Sequence, residues 1–387
     1  MTDQDLRRAL LRIHPPDELG AERRAWSLVR AAFDEREPAQ RRNQLFRPLV
    51  ALAVALALIA AVVNPPVLNA IRDAIGRTKE QKQVVYRQAL FSLPAPGRLL
   101  VNTARGPWVI QPNGGRRLLG SYRDASWSPR GLFVTALGKH EVVALEPNGT
   151  MRWSLARSGR LLAPRWSQEI DGSTRIAYLR DRTVRVVAGD GTDDRLLDEA
   201  AATAPAWKPG RSFVLAYVGA AGRIRVVDTE SHRLLWHSLL LPPLVQLAWS
   251  HDGTRLLALA RRSLVVFGEG GGRIGRTRLP GTAVAAAFDP RSHDVAVLLR
   301  LSPQSIVQIR NADAPAAKAR SVFSADGRFG TLAWSPNGRW LLAGWRSVDA
   351  FMFVTPQGRQ RLVADIARQL GAFPTVPEAG WCCAASR

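Results

Sequence analysis

The sequence predicts an all-β fold, a seven-bladed β-propeller of four-stranded blades, preceded by a short helical region and one transmembrane helix. Three observations carry that expectation. An aromatic residue followed by a turn and an apolar strand recurs at Trp127, Trp166, Trp207, Trp249, Phe288 and Trp334, with separations of 39, 41, 42, 39 and 46 residues. This is close to the ~40–45 residues of a propeller blade. A seventh aromatic, Trp381, follows 47 residues after Trp334 with no strand pattern behind it. Finally, Leu49–Val63 reads LVALAVALALIAAVV, without one polar side chain.

From the N-terminus, residues 1–47 are expected to form a cytoplasmic region. Within residues 16–36, Leu19, Trp26, Val29 and Phe33 fall near helical spacing among Arg23, Arg24, Arg30 and Asp34. One amphipathic helix is expected there, able to dock a partner, rest on a bilayer or fold back locally. Residues 48–69 hold the membrane segment. Its strict apolar run of fifteen residues spans only about 22 Å of helix against a hydrocarbon core of roughly 30 Å, and Leu45, Phe46, Val67 and Leu68 can extend it.

The 48 residues ahead of the run exceed the charged leader of a secretory signal, so the segment reads as an uncleaved anchor. Arg36, Arg41, Arg42 and Arg47 precede it, whereas Arg72, Arg77 and Lys79 follow. That small bias favours a cytoplasmic N-terminus and a propeller on the extracytoplasmic side of the cell membrane, single-pass. Residues 70–96 read as a juxtamembrane linker closed by Pro94-Ala95-Pro96-Gly97, which places the propeller at residues 97–387.

Each repeat carries its own strand logic. The phrases include SWSPRGLFVTA at Ser126, AWKPGRSFVLAY at Ala206, AWSHDGTRLLALA at Ala248 and AWSPNGRWLLAG at Ala333. The aromatic ring fills the space between neighbouring sheets, while Pro and Gly set the dihedrals of the hairpin turn after it. Behind Trp249 come two apolar runs, Leu256–Ala260 and Ser263–Phe267, then a Gly-rich turn and Ile274–Leu279, making four strands with no helical stretch between them.

The ends decide the count. Three strand candidates, Arg98–Thr103, Pro107–Gln111 and Arg116–Leu119, open the domain without an aromatic phrase, and Trp381 closes it with an aromatic phrase lacking strands. Joining the two completes a seventh blade and removes free sheet edges.

The phrases WSPNG at Trp334–Gly338 and WSHDG at Trp249–Gly253 resemble the TolB-like and WD-type propeller repeats of bacterial envelope proteins, over most of residues 97–387. LEPNGTMRWSL at Leu145–Leu155 and VDTESHRLLWHS at Val227–Ser238 are similar to the tryptophan-bearing repeats of pyrroloquinoline-quinone propellers. Some quinone dehydrogenases of that kind use adjacent cysteines, but this chain is too short for the eight-bladed enzyme. The layout of cytoplasmic helix, single membrane pass and outer β-domain resembles transmembrane anti-sigma regulators. It implies an alternative function as a signalling regulator whose helix around Trp26 holds a cytoplasmic partner. His14 is the only histidine ahead of the apolar run and no cysteine lies near it, so the zinc motif of many such regulators is absent.

Composition sets the remaining limits. Hydrophobic residues at 46% and charged residues at 22% argue against disorder. The net charge of +22 is compatible with nucleic acid, an anionic membrane surface or an acidic envelope polymer as partner, and the count alone does not choose among them. Residues 97–387 hold 39 basic and 22 acidic side chains and residues 1–96 hold 15 and 10, so the excess is spread and reads as solvated Arg on strand faces. No Lys/Arg block resembles a nucleic-acid arm, which argues against nucleic acid. The only cysteines, Cys382 and Cys383, are adjacent, excluding a disulfide framework and a zinc site of the usual spacing. They read as terminal strand or tail residues, with a redox role as the alternative.

No G-x-S-x-G, Walker-type or H-E-x-x-H pattern occurs, and the six histidines are scattered, with His232 and His237 flanking one apolar strand in structural positions. Gly268–Gly272 joins two strands and reads as a hairpin turn. Asp190, Asp193 and Asp194 in AGDGTDD read as a solvated turn without calcium-loop spacing. The expectation is therefore a non-enzymatic binding or scaffold module at the cell envelope, with no catalytic, cofactor or metal residues, whose ligand is a protein, a peptide or a polyanion.

Overall fold

A computed structural model describes residues 92–383. The expected helix bearing Leu19, Trp26, Val29 and Phe33, the span from Leu49 to Val63 and most of the linker lie outside the described residues. Among the described residues, no helix is long and apolar enough to cross a membrane.

Seven four-stranded antiparallel sheets make seven blades. Blade 1 takes β1 (Arg98–Thr103), β2 (Gly106–Ile110) and β3 (Arg116–Leu118) from the start of the domain. Blade 2 comprises β4 (Arg123–Trp127), β5 (Val134–Leu137), β6 (Glu141–Leu145) and β7 (Met151–Ala156), and blade 3 comprises β8 (Leu161–Trp166), β9 (Arg175–Arg180), β10 (Thr183–Ala188) and β11 (Arg195–Glu199). Blade 4 is β12 (Ala206–Trp207), β13 (Val214–Val218), β14 (Ile224–Asp228) and β15 (Arg233–His237); blade 5 is β16 (Leu244–Trp249), β17 (Arg255–Ala260), β18 (Ser263–Gly268) and β19 (Arg273–Arg278). Blade 6 is β20 (Thr282–Phe288), β21 (Asp294–Leu301), β22 (Gln304–Asn311) and β23 (Arg320–Asp326), and blade 7 is β24 (Phe329–Trp334), β25 (Leu341–Trp345), β26 (Ala350–Val354) and β27 (Gln360–Val363).

The chain closes on itself through β28 (Trp381–Cys382), which pairs antiparallel with β1 in the register Arg98↔Cys382 and Leu99↔Trp381. It supplies the innermost strand of blade 1, giving the sheet order β28-β1-β2-β3.

The burial pattern explains why each strand has its composition. The second and third strands of a blade are covered on both faces by neighbouring blades, so they read as apolar runs such as Leu256–Ala260 and Ala350–Val354. Outermost strands such as Met151–Ala156 and Arg273–Arg278 alternate exposed and half-buried positions and carry Arg. Charge there protects an open sheet edge. The core is accordingly divided into seven apolar layers, one per blade interface.

Two details differ from the sequence expectation. Leu93 and Ala95, ahead of the expected boundary at Gly97, are buried in the layer between blades 1 and 7, because they are the apolar residues able to cover it there. The 47-residue step to Trp381 contains a helix, α1 (Ile366–Leu370), whereas no helix was expected between strands. Its Ile366 and Leu370, four residues apart on one helical face, cap the same layer.

Candidate binding site at the cationic end of the ring

Six of the repeat aromatics end the innermost strands of their blades, Trp381 begins β28, and all pack between blades. Trp127, Trp207, Trp249, Trp334 and Trp381 are buried; Trp166 and Phe288 are half-buried in their layers. The Trp127 indole N–H donates to the Gly380 carbonyl at 3.1 Å, Trp207 to Arg165 at 2.9 Å and Trp334 to Ala287 at 2.9 Å. In each case the acceptor directly precedes the corresponding aromatic of the previous blade. The buried Nε1 atoms of Trp166, Trp249 and Trp381 have no such partner.

A second series works at the rim. Trp153 of β7 donates to the Gly189 carbonyl at 2.9 Å, and Trp236 of β15 donates to the Glu269 carbonyl at 2.8 Å, each in the outer turn of the next blade. The tryptophan-bearing repeats thus serve packing, and Gly268–Gly272 is the turn that receives Trp236 between β18 and β19.

Antiparallel meanders put the first and third turns of every blade at one end of the ring, and the second turn and the inter-blade connection at the other. At this second end nearly every middle turn carries an exposed cation: Arg105, Lys139, Arg182, Arg223, Arg261 with Arg262, and Arg346; in blade 6 Arg300 stands just before the turn. Among the described residues none of these makes an ion pair. Arg160 and Arg328 add to them from the inter-blade connections.

The turns at the opposite end are rich in carboxylates, among them Glu169, Asp190, Glu230, Asp252 and Glu269. Several cations there are neutralised, with Arg130 on Glu169 at 2.7 Å, Lys208 on Glu269 at 2.7 Å and Arg291 beside Asp289 at 3.6 Å. One cationic groove breaks this pattern, a cleft of about 1020 Å³ between blades 6 and 7 bordered by Arg291, Arg339, Trp340 and Arg359.

Reading the composition as dispersed Arg missed this ring, although the sequence holds a signal for it. From blade 2 onward, Lys139, Arg182, Arg223, Arg261, Arg300 and Arg346 lie 12, 16, 16, 12, 12 and 12 residues after the blade aromatic. Unpaired cations repeated around one end sum to a field that draws anions toward it.

The remaining polar groups satisfy one another. Asp194, expected in a solvated turn, has a side chain only 2% exposed that accepts from Arg157 Nε at 2.6 Å, Arg185 Nη2 at 2.9 Å and Tyr178 Oη at 2.9 Å. The long Arg157 side chain reaches it from blade 2, and burial beside this carboxylate pushes the Tyr178 hydroxyl up to about 12. His293 bridges Asp252 (Nε2, 2.9 Å) and Asp313 (Nδ1, 2.9 Å), and Arg255 Nε meets Asp313 at 2.6 Å. His232 and His237 are exposed on either side of β15.

Ahead of β28, Glu378 lies near Arg165 of β8 and Gln246 of β16. Burial pushes its carboxyl up while those two groups pull it down. The Gln246 amide is itself spoken for, bonding the Ala286 N–H and carbonyl at 3.0 and 2.9 Å. Cys382 and Cys383 are bonded to each other at the end of β28.

No model of a protein family and no curated protein matches the chain. Among solved structures, a chain of the "Crystal Structure of Mitotic Checkpoint Complex" is similar with a TM-score of 0.54 at 15% identity, covering 71% of this chain and 95% of that one. A chain of the Kuenenia stuttgartiensis hydrazine synthase gives a TM-score of 0.48 at 15% identity, over 74% of this chain and 81% of that one. At such identity the first likeness shows the fold alone. The chain has a seven-bladed propeller of four-stranded, WD-repeat-like blades, a fold commonly used for binding or scaffolding.

Proposed function

We propose that this chain is a non-catalytic binding module at the cell envelope, tethered as a single-pass protein by Leu49–Val63, with its propeller on the extracytoplasmic side and an anionic partner on the cationic end of the ring. The observation that carries this is the set of unpaired basic side chains repeated from blade to blade around one end. The TolB-like character of the WSPNG and WSHDG phrases and the apolar run support the envelope setting.

Heparin serves as a generic polyanion probe for the full chain in detergent. Retention on immobilised heparin is expected, weakening steeply with salt as counterions are exchanged. Replacing Arg261 and Arg262 by Glu, on a solvated turn far from the core, is expected to weaken binding about tenfold or more, each cation near an anionic surface contributing about 1 kcal/mol. Equal retention of wild type and variant at every salt concentration overturns the reading. The tether is judged separately, since alkaline carbonate should leave the full chain in the membrane.

A further inference from the structure

The cationic end also carries the most exposed apolar residues of the propeller. In the connection from β15 to β16, Leu239 is 77% and Leu240 is 68% exposed, followed by exposed Pro242 and Pro243. This connection is not loose. Ser238 is buried, its N–H donates to the Ile224 carbonyl at 2.9 Å and its Oγ accepts the Ile224 N–H at 3.0 Å. At the far side Leu241 and Leu244 pack into the layer between blades 4 and 5. Both ends of the loop are therefore pinned, and its two leucines are held out in solvent beside Arg223, whose Nη1 meets the Ser238 carbonyl at 3.4 Å. Val348, 47% exposed, is a second apolar point at the same end, next to Arg346.

We propose that this end of the ring lies flat on an anionic lipid bilayer, with Leu239 and Leu240 entering the headgroup region and the turn cations over the lipid phosphates. The inference rests on the reading of this end as an anion-binding surface and names what it binds. Three features select a bilayer. The cations are spread around a whole ring rather than gathered in a groove, which suits a broad planar anion. Exposed leucines on a fixed loop lose their contact with water only against an apolar phase, and a nucleic acid or a sugar polyanion offers them none. Of the carboxylates at this end, Asp365 is ion-paired with Arg368 at 2.9 Å, Asp349 accepts the Ala367 N–H at 2.7 Å, Asp181 accepts the Arg160 N–H at 2.8 Å, Glu141 accepts from Ser154 Oγ, and Glu199 and Asp326 stand at the rim; the exposed cations named above outnumber them.

The test reads the loop, because a tether alone would bring the full chain to any vesicle. Cys382 and Cys383 are bonded to each other, so Leu240→Cys supplies the one free thiol for an environment-sensitive nitrobenzoxadiazole label. The full chain is reconstituted into phosphatidylcholine vesicles with or without phosphatidylglycerol. A blue shift and a gain of about threefold or more in label emission is expected only with phosphatidylglycerol, since anionic lipid is what the ring attracts. Arg223→Glu with Arg261→Glu should abolish the gain, and Arg339→Glu with Arg359→Glu, the same charge change at the opposite end, should leave it. A label that stays in water on both vesicles overturns the inference. If heparin retention persists in that case, the ring serves a soluble polyanion and only the bilayer is refuted; if retention is also absent, the anion-binding reading falls with it. Carbonate extraction of the chain with the label still responsive means that the docking stands and the tether does not.

Discussion

Ser250, Asp252 and Gly253 show what the phrase after each blade aromatic accomplishes. The Ser250 Oγ accepts the Arg255 N–H at 3.0 Å while its carbonyl accepts the Gly253 N–H at 2.9 Å, and Gly253 takes the left-handed φ of +72° that closes the turn. Ser128 and Ser335 repeat the side-chain bond to the N–H five residues on, at 2.9 Å each. In blade 5 the same turn also aims Asp252 at His293 of blade 6. With Asp313 on its other nitrogen, that imidazole donates from both nitrogens when charged, and the two carboxylates hold its pKa above the usual value. The folded chain therefore grips the proton harder than the unfolded one. This contribution is complete below the ordinary imidazole value of about 6.5 and disappears as pH rises through the raised folded value. His293→Ala is expected to lower the melting temperature by about 2 °C or more near pH 6, and by less near pH 9. Thermal melting of the two chains across that range is the check, and a gap that does not narrow with pH removes the charged bridge from the account.

At the scale of elements, two outermost strands, β7 and β15, are attached to the next blade through tryptophan. Trp236 of β15 lies so close over the turn between β18 and β19 that a Cβ on Gly271 would stand 2.6 Å from the ring, and Gly271 also has φ +86°. Trp153 of β7 covers Gly191 in the same way, with 2.8 Å to the added Cβ. Gly271→Ala must therefore both strain the backbone and push the indole away, costing about 2 kcal/mol or more. At Gly270, one residue earlier, an added Cβ meets nothing within 4 Å, so Gly270→Ala is expected to be nearly neutral. Denaturant midpoints of the two variants should separate clearly; coincident midpoints would show that the turn is not clamped. Elements of this kind were legible in the sequence because period and turn chemistry agree. Strands covered on both faces are written as apolar runs, and the turn between them as Gly, Pro and Ser. The Gly-rich stretch at Gly268–Gly272 was legible as a turn but not as a tryptophan seat, since nothing local points to a ring from another blade. Helix α1 was not legible, because Ile366 and Leu370 are a short apolar pair whose value lies in the layer they cap.

For the whole molecule, the ring was more legible than the surface it displays. The aromatic spacing counted blades, but the cations that define one end are single residues separated by some forty positions, and only the folded meander brings them to a common end. Charge that looks dispersed along the chain is ordered in space, in the same manner as the seven apolar layers. Closure is the other property that belongs to no single element. Residues near the C-terminus supply β28, bury Trp381 to 3% exposure between blades 1 and 7, and offer the Gly380 carbonyl to both Leu100 N–H at 2.7 Å and the Trp127 indole at 3.1 Å. Removing residues 376–387 would leave those donors unpaired, expose the inner edge of blade 1 and open a layer that is continuous with its neighbours. Blades stabilised mainly by nearest neighbours should then unzip from the break. The truncated chain is expected to melt lower by about 10 °C or more and over a broader range, whereas Trp381→Ala, which keeps the strand but empties the site at a cost of about 3–5 kcal/mol, should lower the midpoint while leaving the transition sharp. Unchanged melting of the truncated chain would mean that the other six interfaces hold the ring without its seam.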